Sequence, residues 1–221
     1  MLYRSSWDII NIMKSLGFKK TEQILSCYGI PLCPSRLTVE KSEALDFAGE
    51  IGYPAVLKVS SLEPIHKTDL GLVKTGIKDK KELEEAWDEL NKKKIKKEGI
   101  LVQKQLFGVE VAAGMKRDSQ FGPVLMFGLG GIMVELLKDV SFRIAPLKKK
   151  DVQEMMKETK GYQLLSGFRS QKAVDLEKLI GIFLSLSELS LNESEIKEVD
   201  LNPVIANEKG AWVADPRFIL N

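Results

Sequence analysis

Three polar side chains near the C-terminus have the types and spacing of a divalent-cation site. In Val199-Asp200-Leu201-Asn202-Pro203, successive side chains of an extended chain point to opposite faces. Asp200 and Asn202 therefore share one face, and Val199 and Leu201 take the other. Thirteen residues beyond Asn202 stands Asp215, at the end of the short run Trp212-Val213-Ala214. If the two runs pair as a hairpin, Asn202 and Asp215 meet at the same depth. Hard oxygen donors of this kind suit Mg²⁺, which keeps several waters and bridges nucleotide phosphates. The alternative is a set of turn and edge polar groups.

Other residues carry chemistry of a related kind. Lys58 interrupts the apolar run Ala55-Val56-Leu57-Lys58-Val59. It either points to solvent from an edge strand or stands as a compact cation against phosphate. The one histidine, His66, lies in the polar segment Ser60–Gly71 between two strand-like runs. A functional histidine is a base, a metal ligand or a phosphoryl carrier; the ligand role finds no second histidine and no well-spaced cysteine. Otherwise His66 is an inert loop residue. Gly128, Gly130 and Gly131 fall within four positions after a strand-like run. That is either a tight turn or a loop whose backbone N–H groups approach phosphate. Neither the Walker nor the dinucleotide-binding spacing is present. Glu110, flanked by valines, faces solvent or a cleft.

Apolar spacing predicts a helix around Trp7, Ile10 and Met13 and a second around Ile24, Leu25 and Tyr28. Further helices are expected over 40–51, over 79–97 with Asp79 as N-cap, and near 148–159 and 174–189. Strands are expected at 55–60, 73–77, 100–104, 109–116, 123–127, 199–205 and 211–214. Segments 100–116 and 199–214 read as hairpins. The fold class is α/β (α+β) with antiparallel sheet, and a lobe boundary is expected near 98–100, where the lysine run ends and Gly99 starts a new strand. The chain has 221 residues, 44% of them apolar, with 33 basic against 31 acidic. It can bury a core, and a net charge of +2 makes no case for a polyanion binder. No run reaches the roughly 20 apolar residues of a membrane span. The expectation is a soluble, cytoplasmic protein that binds neither nucleic acid nor membrane.

Several motifs, collinear from about residue 20 to 218, resemble the β subunit of ADP-forming acyl-CoA synthetases of the acetyl-CoA type. They are Tyr-Gly-Ile-Pro at 28–31, Gly-Tyr-Pro-Ala-Val-Leu-Lys at 52–58, His-Lys-Thr-Asp at 66–69, Gly-Met-Lys-Arg-Asp at 114–118, Gln-Phe-Gly-Pro-Val at 120–124, Met-Phe-Gly-Leu-Gly-Gly-Ile at 126–132, Lys-Asp-Val-Ser-Phe-Arg-Ile-Ala-Pro-Leu at 138–147 and Asp-Leu-Asn-Pro at 200–203. The resemblance implies an ATP-grasp fold, two lobes clasping a nucleotide. The smaller is expected over 20–99 with the His66 loop, and the larger over 1–19 and 100–221 with hinge and metal site. It implies a ligase that makes ATP reversibly from acyl-CoA, ADP and phosphate, together with a CoA-binding α subunit, commonly as α2β2. It also implies residue roles. His66 relays the phosphoryl group, Lys58 contacts nucleotide phosphates, and Gln103 and Leu106 form the adenine hinge. Glu110 is the cleft glutamate, Gly128, Gly130 and Gly131 border the phosphates, and Arg143 contacts an oxyanion. Asn202 and Asp215 ligate Mg²⁺, with Asp200 a carboxylate beside them. Leu72 and Pro216 stand where the family commonly has a glycine and a small residue.

Two other readings use the same fold. A nucleotide-binding regulatory module without turnover is known from degenerate grasp domains fused to acetyltransferases; this sequence shows no acetyltransferase segment and keeps all the expected polar residues. A carboxylate–amine ligase would need no loop histidine and would need a further substrate domain.

Overall fold

In the computed structural model the described residues are 15–62, 70–130, 139–168 and 172–221. The expected helix around Trp7, Ile10 and Met13, the His66 motif and Gly131 lie outside them.

The chain divides into two compact units. One comprises Cys33–Leu106 with the described residues up to Lys20, and the other Thr21–Leu32 and Phe107–Asn221. Helix α1 (Phe18–Cys27) contains the first crossing.

The first unit is a four-stranded antiparallel sheet covered by two helices. Its strands are β1 (Ser35–Thr38), β2 (Ala55–Ser60), β3 (Val73–Ile77) and β4 (Gly99–Lys104), in the order β1-β4-β2-β3. Helices α2 (Lys41–Ile51) and α3 (Lys80–Asn91) set Ala44, Phe47, Leu83, Trp87 and Leu90 against Leu57, Val59, Ile100 and Val102. Gly52 ends α2 at φ 73°, a left-handed conformation that glycine adopts without a Cβ penalty. Asp79 caps α3, its Oδ1 accepting from Glu82 N at 2.9 Å. The helix stops at Asn91 rather than running to 97. Lys97 Nζ instead donates to Asn91 O at 3.0 Å and satisfies a terminal carbonyl. The lysine segment folds back, with Glu98 N donating to Ser60 O at 2.8 Å and Ser61 Oγ to Lys96 O at 2.9 Å. Leu72 is fully buried in this core, so the departure from the family's glycine serves packing.

The second unit holds a six-stranded antiparallel sheet. Its strands are β5 (Val109–Asp118), β6 (Gly122–Leu129), β7 (Val140–Ile144), β8 (Ile196–Asn207), β9 (Gly210–Val213) and β10 (Pro216–Leu220). Their order is β10-β8-β5-β6-β7, and β9 also pairs with β8. Among the described residues it also carries helices α4 (Lys149–Glu158), α5 (Tyr162–Leu165) and α6 (Leu176–Asn192). The core face of the sheet carries Val111, Ala113, Met115, Leu125, Phe127, Val199, Leu201 and Phe218, all buried. Phe183 of α6 meets Phe127 with ring centroids 5.6 Å apart. Among the described residues no helix is long and apolar enough to cross a membrane.

Two expectations are corrected. The 199–214 hairpin forms as β8–β9, but 100–116 is no hairpin: β4 pairs with β1 and β2, β5 with β6 and β8. Consequently the crossing falls between Leu106 and Phe107 and not at 99/100, and residues 21–32 belong with the later part of the chain. Apolar alternation identifies a strand; it does not name the strand's neighbour.

Candidate functional site

The acidic elements of the second unit form two rungs on one face of the sheet. Asp200 of β8 pairs with Arg217 of β10, and Leu201 with Pro216. Asn202 N then donates to Asp215 O at 3.2 Å, and Ala214 N to Pro203 O at 2.9 Å. Asn202 and Asp215 thus lie opposite each other, as the hairpin argument requires, with Asp215 at the turn from β9 into β10.

A bulge makes this possible. Val111 pairs with Val204 and Ala113 with Leu201, so β8 carries one extra residue against β5, at Asn202–Pro203. Strict alternation would turn either Val204 or Leu201 out of the core. The added residue keeps both buried and leaves Asn202 on the outer face with Asp200. Across the sheet Asp200 meets Gly114, which has no side chain to cover it.

Burial pushes the Asp200 carboxyl above its ordinary range. The Arg217 charge opposes this, while Glu198 and Asp215 add to it. Crowded carboxylates beside an amide oxygen suit a cation, which would offset their repulsion. No group of three or more His, Cys, Asp or Glu side chains gathers at one point among the described residues. Mg²⁺ takes one or two carboxylates and completes its shell with waters and phosphate oxygens.

Glu110 lies on the same outer face, exposed, at the start of β5 opposite Ile205. Gly130 is held against it, its N donating to Glu110 O at 2.7 Å. A Cβ at Gly130 would lie 2.9 Å from backbone atoms of Val111, which cannot yield as a side chain would. Gly130→Ala is therefore expected to destabilise the protein by about 1–3 kcal/mol, visible as a thermal midpoint lowered by several degrees. An unchanged midpoint would show that the turn relaxes freely. Gly128, expected in the turn, instead sits inside β6, paired with Ala112 and Val140.

Arg143 is not brought to this face. It pairs with Leu125, which lies on the core side, and its guanidinium grips both carboxylate oxygens of Glu158 at the rim. That ion pair raises Arg143's pKa and lowers Glu158's. Arg217, which sequence reasoning missed, is the arginine beside the acidic rungs.

In the first unit Lys58 occupies an interior strand between Val73 and Leu101 and is only 8% exposed. The edge-strand, solvent-facing reading is thus wrong. Burial pushes the Cys33 thiol up to about 11, against the opposing charge of Lys58. Gln103 is 2% exposed on β4, opposite Ser35, whose hydroxyl oxygen is buried without a partner among the described residues. Leu106 is half-buried at the end of the unit. Gln105, also missed, fastens this segment: its N donates to Pro54 O at 3.1 Å and its Oε1 accepts from Gly76 N at 2.6 Å.

The ATP-grasp domain model matches residues 13–220. The β subunit of ADP-forming acetate–CoA ligase I of Pyrococcus furiosus is 46% identical over 208 residues, 91% of this chain and 90% of that one. ADP-forming acetate–CoA ligase I of Archaeoglobus fulgidus is 45% identical over 204 residues, 89% of this chain but 30% of that longer protein. Among solved structures, acetyl-coenzyme A synthetase 1 of Ca. Korarchaeum cryptofilum superposes with a TM-score of 0.83 at 42% identity, covering 94% of this chain and 93% of that one. That structure holds coenzyme A and Mg-AMPPCP, with a phosphohistidine segment pointing towards its nucleotide binding site. With nearly the whole chain matched, in sequence and in fold, this protein belongs to the ATP-grasp family and, within it, to the β subunits of ADP-forming acyl-CoA ligases of the acetate–CoA type.

Proposed function

We propose that this chain is the nucleotide side of a reversible ADP-forming ligase whose phosphoryl group travels through His66. A partner α subunit binds CoA and acyl substrate, as α2β2 in the cytoplasm, and generates the phosphoryl donor. His66 takes the PO₃ group on an imidazole nitrogen. Attack by a terminal oxygen of ADP then forms the new P–O bond as the P–N bond breaks, and the ring nitrogen regains its electron pair. Phosphoryl transfer of this kind needs in-line positioning and charge neutralisation more than covalent work elsewhere in the protein.

The observation that carries this reading is the pair of rungs on β8 and β10, which sets Asn202 and Asp215 opposite each other beside Asp200. Asn202 and Asp215 would hold Mg²⁺ through oxygen donors. The ion supplies charge neutralisation at the phosphate oxygens when bound. Lys58, nearly buried in the interior strand β2, adds a fixed cation. Gln103 and Leu106 bind the base, Glu110 and the glycines at 128, 130 and 131 border the nucleotide, and Asp200 supports the ligand pair. Arg143 is left out of this set because its side of the sheet is the wrong one.

The test is labelling. Incubating the assembled α/β complex with γ-labelled ATP is expected to put an acid-labile, base-stable label on this chain, absent from His66→Ala. Equal labelling of the substituted chain would remove the relay from the mechanism.

A further inference from the structure

The two rungs have a direction. Along β8 the order away from Glu110's partner Ile205 is Asn202, then Asp200, then Glu198. With strand residues spaced about 3.3 Å apart, the Asp200–Arg217 rung lies about 7 Å beyond the Asn202–Asp215 rung. Under the reading above, the nucleotide is bordered by Glu110, and its diphosphate reaches the cation at Asn202 and Asp215. A chain of phosphates continuing in that direction arrives next at Arg217.

Arg217 is equipped to meet it. It shares the outer face with Asp200, and its backbone is fixed by pairing with β8. Among the described residues its ion pair is a long one, Nη2 to Glu198 Oε1 at 3.5 Å, with the two side chains 44% and 28% exposed. A planar guanidinium with five donors loses little by exchanging such a contact for a bidentate one to a phosphoryl group. Lys116, cross-strand from Glu198 and exposed, can take up the acidic neighbour.

We infer that Arg217 is a further anion-binding residue that holds the terminal, transferable phosphoryl group, on the far side of the cation from Glu110. It therefore distinguishes nucleoside triphosphate from diphosphate. This rests on the reading of Asn202 and Asp215 as the cation site.

The experiment is calorimetric titration of the full chain with MgADP and with a magnesium complex of a non-hydrolysable ATP analogue. Arg217→Met is expected to weaken the triphosphate analogue about 10- to 100-fold, the range of a charged hydrogen-bonded contact, and to leave MgADP nearly unchanged. Arg217→Lys, which keeps charge but not the fork, should fall between. Asn202→Ala should weaken both nucleotides together. Equal losses for both nucleotides in Arg217→Met, or no loss for either, would overturn the assignment and leave Arg217 as charge balance for the acidic face. A wild-type chain that bound neither nucleotide would overturn the underlying nucleotide reading as well.

Discussion

Asp215→Ala is expected to reduce ATP formation by the assembled enzyme on the order of 100-fold or more at fixed Mg²⁺, and to move the Mg²⁺ titration to higher concentration. The reason is positional. Asp215 enters the site from the turn between β9 and β10, opposite Asn202, and alanine there removes one of the two proposed ligands. Its backbone link, Asn202 N to Asp215 O at 3.2 Å, does not depend on the side chain. The hairpin should therefore persist and the thermal midpoint stay close to that of the unmodified protein. Relief of carboxylate crowding at Asp200, to which Asp215 contributes, acts in the same stabilising direction. A Mg²⁺ titration superimposable on that of the unmodified enzyme would count against the ligand assignment. Unfolding of the variant would say instead that the side chain is structural.

Lys58→Met should separate activity from stability still more sharply. Lys58 is 8% exposed in the interior strand β2, between Val73 and Leu101. Methionine, an unbranched apolar side chain of similar length, fills the same space. The expected result is a chain that still unfolds cooperatively, with activity lowered about 10²- to 10³-fold, the scale of losing one preorganised charge contact in a phosphoryl-transfer site. Loss of both stability and activity would make Lys58 a structural residue of the sheet.

Much of this architecture is legible from residue order alone, and the parts that are not share a cause. The interior strands β2, β4, β5 and β8 read as apolar or cleanly alternating runs because both of their faces, or one whole face, are covered. The strands that sequence reading missed, β1, β7 and β10, are all sheet edges. Ser35-Arg36-Leu37-Thr38 is short and polar, Val140–Ile144 leaves Phe142 and Ile144 about half exposed, and β10 opens on Pro216, a residue tolerated at the first position of an edge strand. These three edges lack the clean apolar pattern that marks an interior strand.

The same division runs through the site. Residue types and spacing were enough to select Asp200, Asn202 and Asp215, because alternation along an extended chain is local geometry. The motif resemblance added His66, Lys58 and the hinge. Which arginine serves the acidic face was a tertiary decision. Arg143 and Phe142 are neighbours in sequence, and pairing with Leu125 turns Arg143 to the core side, whereas pairing with Asp200 brings Arg217 to the rungs. The bulge at Asn202–Pro203 and the membership of β4 in the first sheet were likewise settled only on folding. Strand register and strand partners depend on which faces bury most surface together, and that is a property of the assembled sheet.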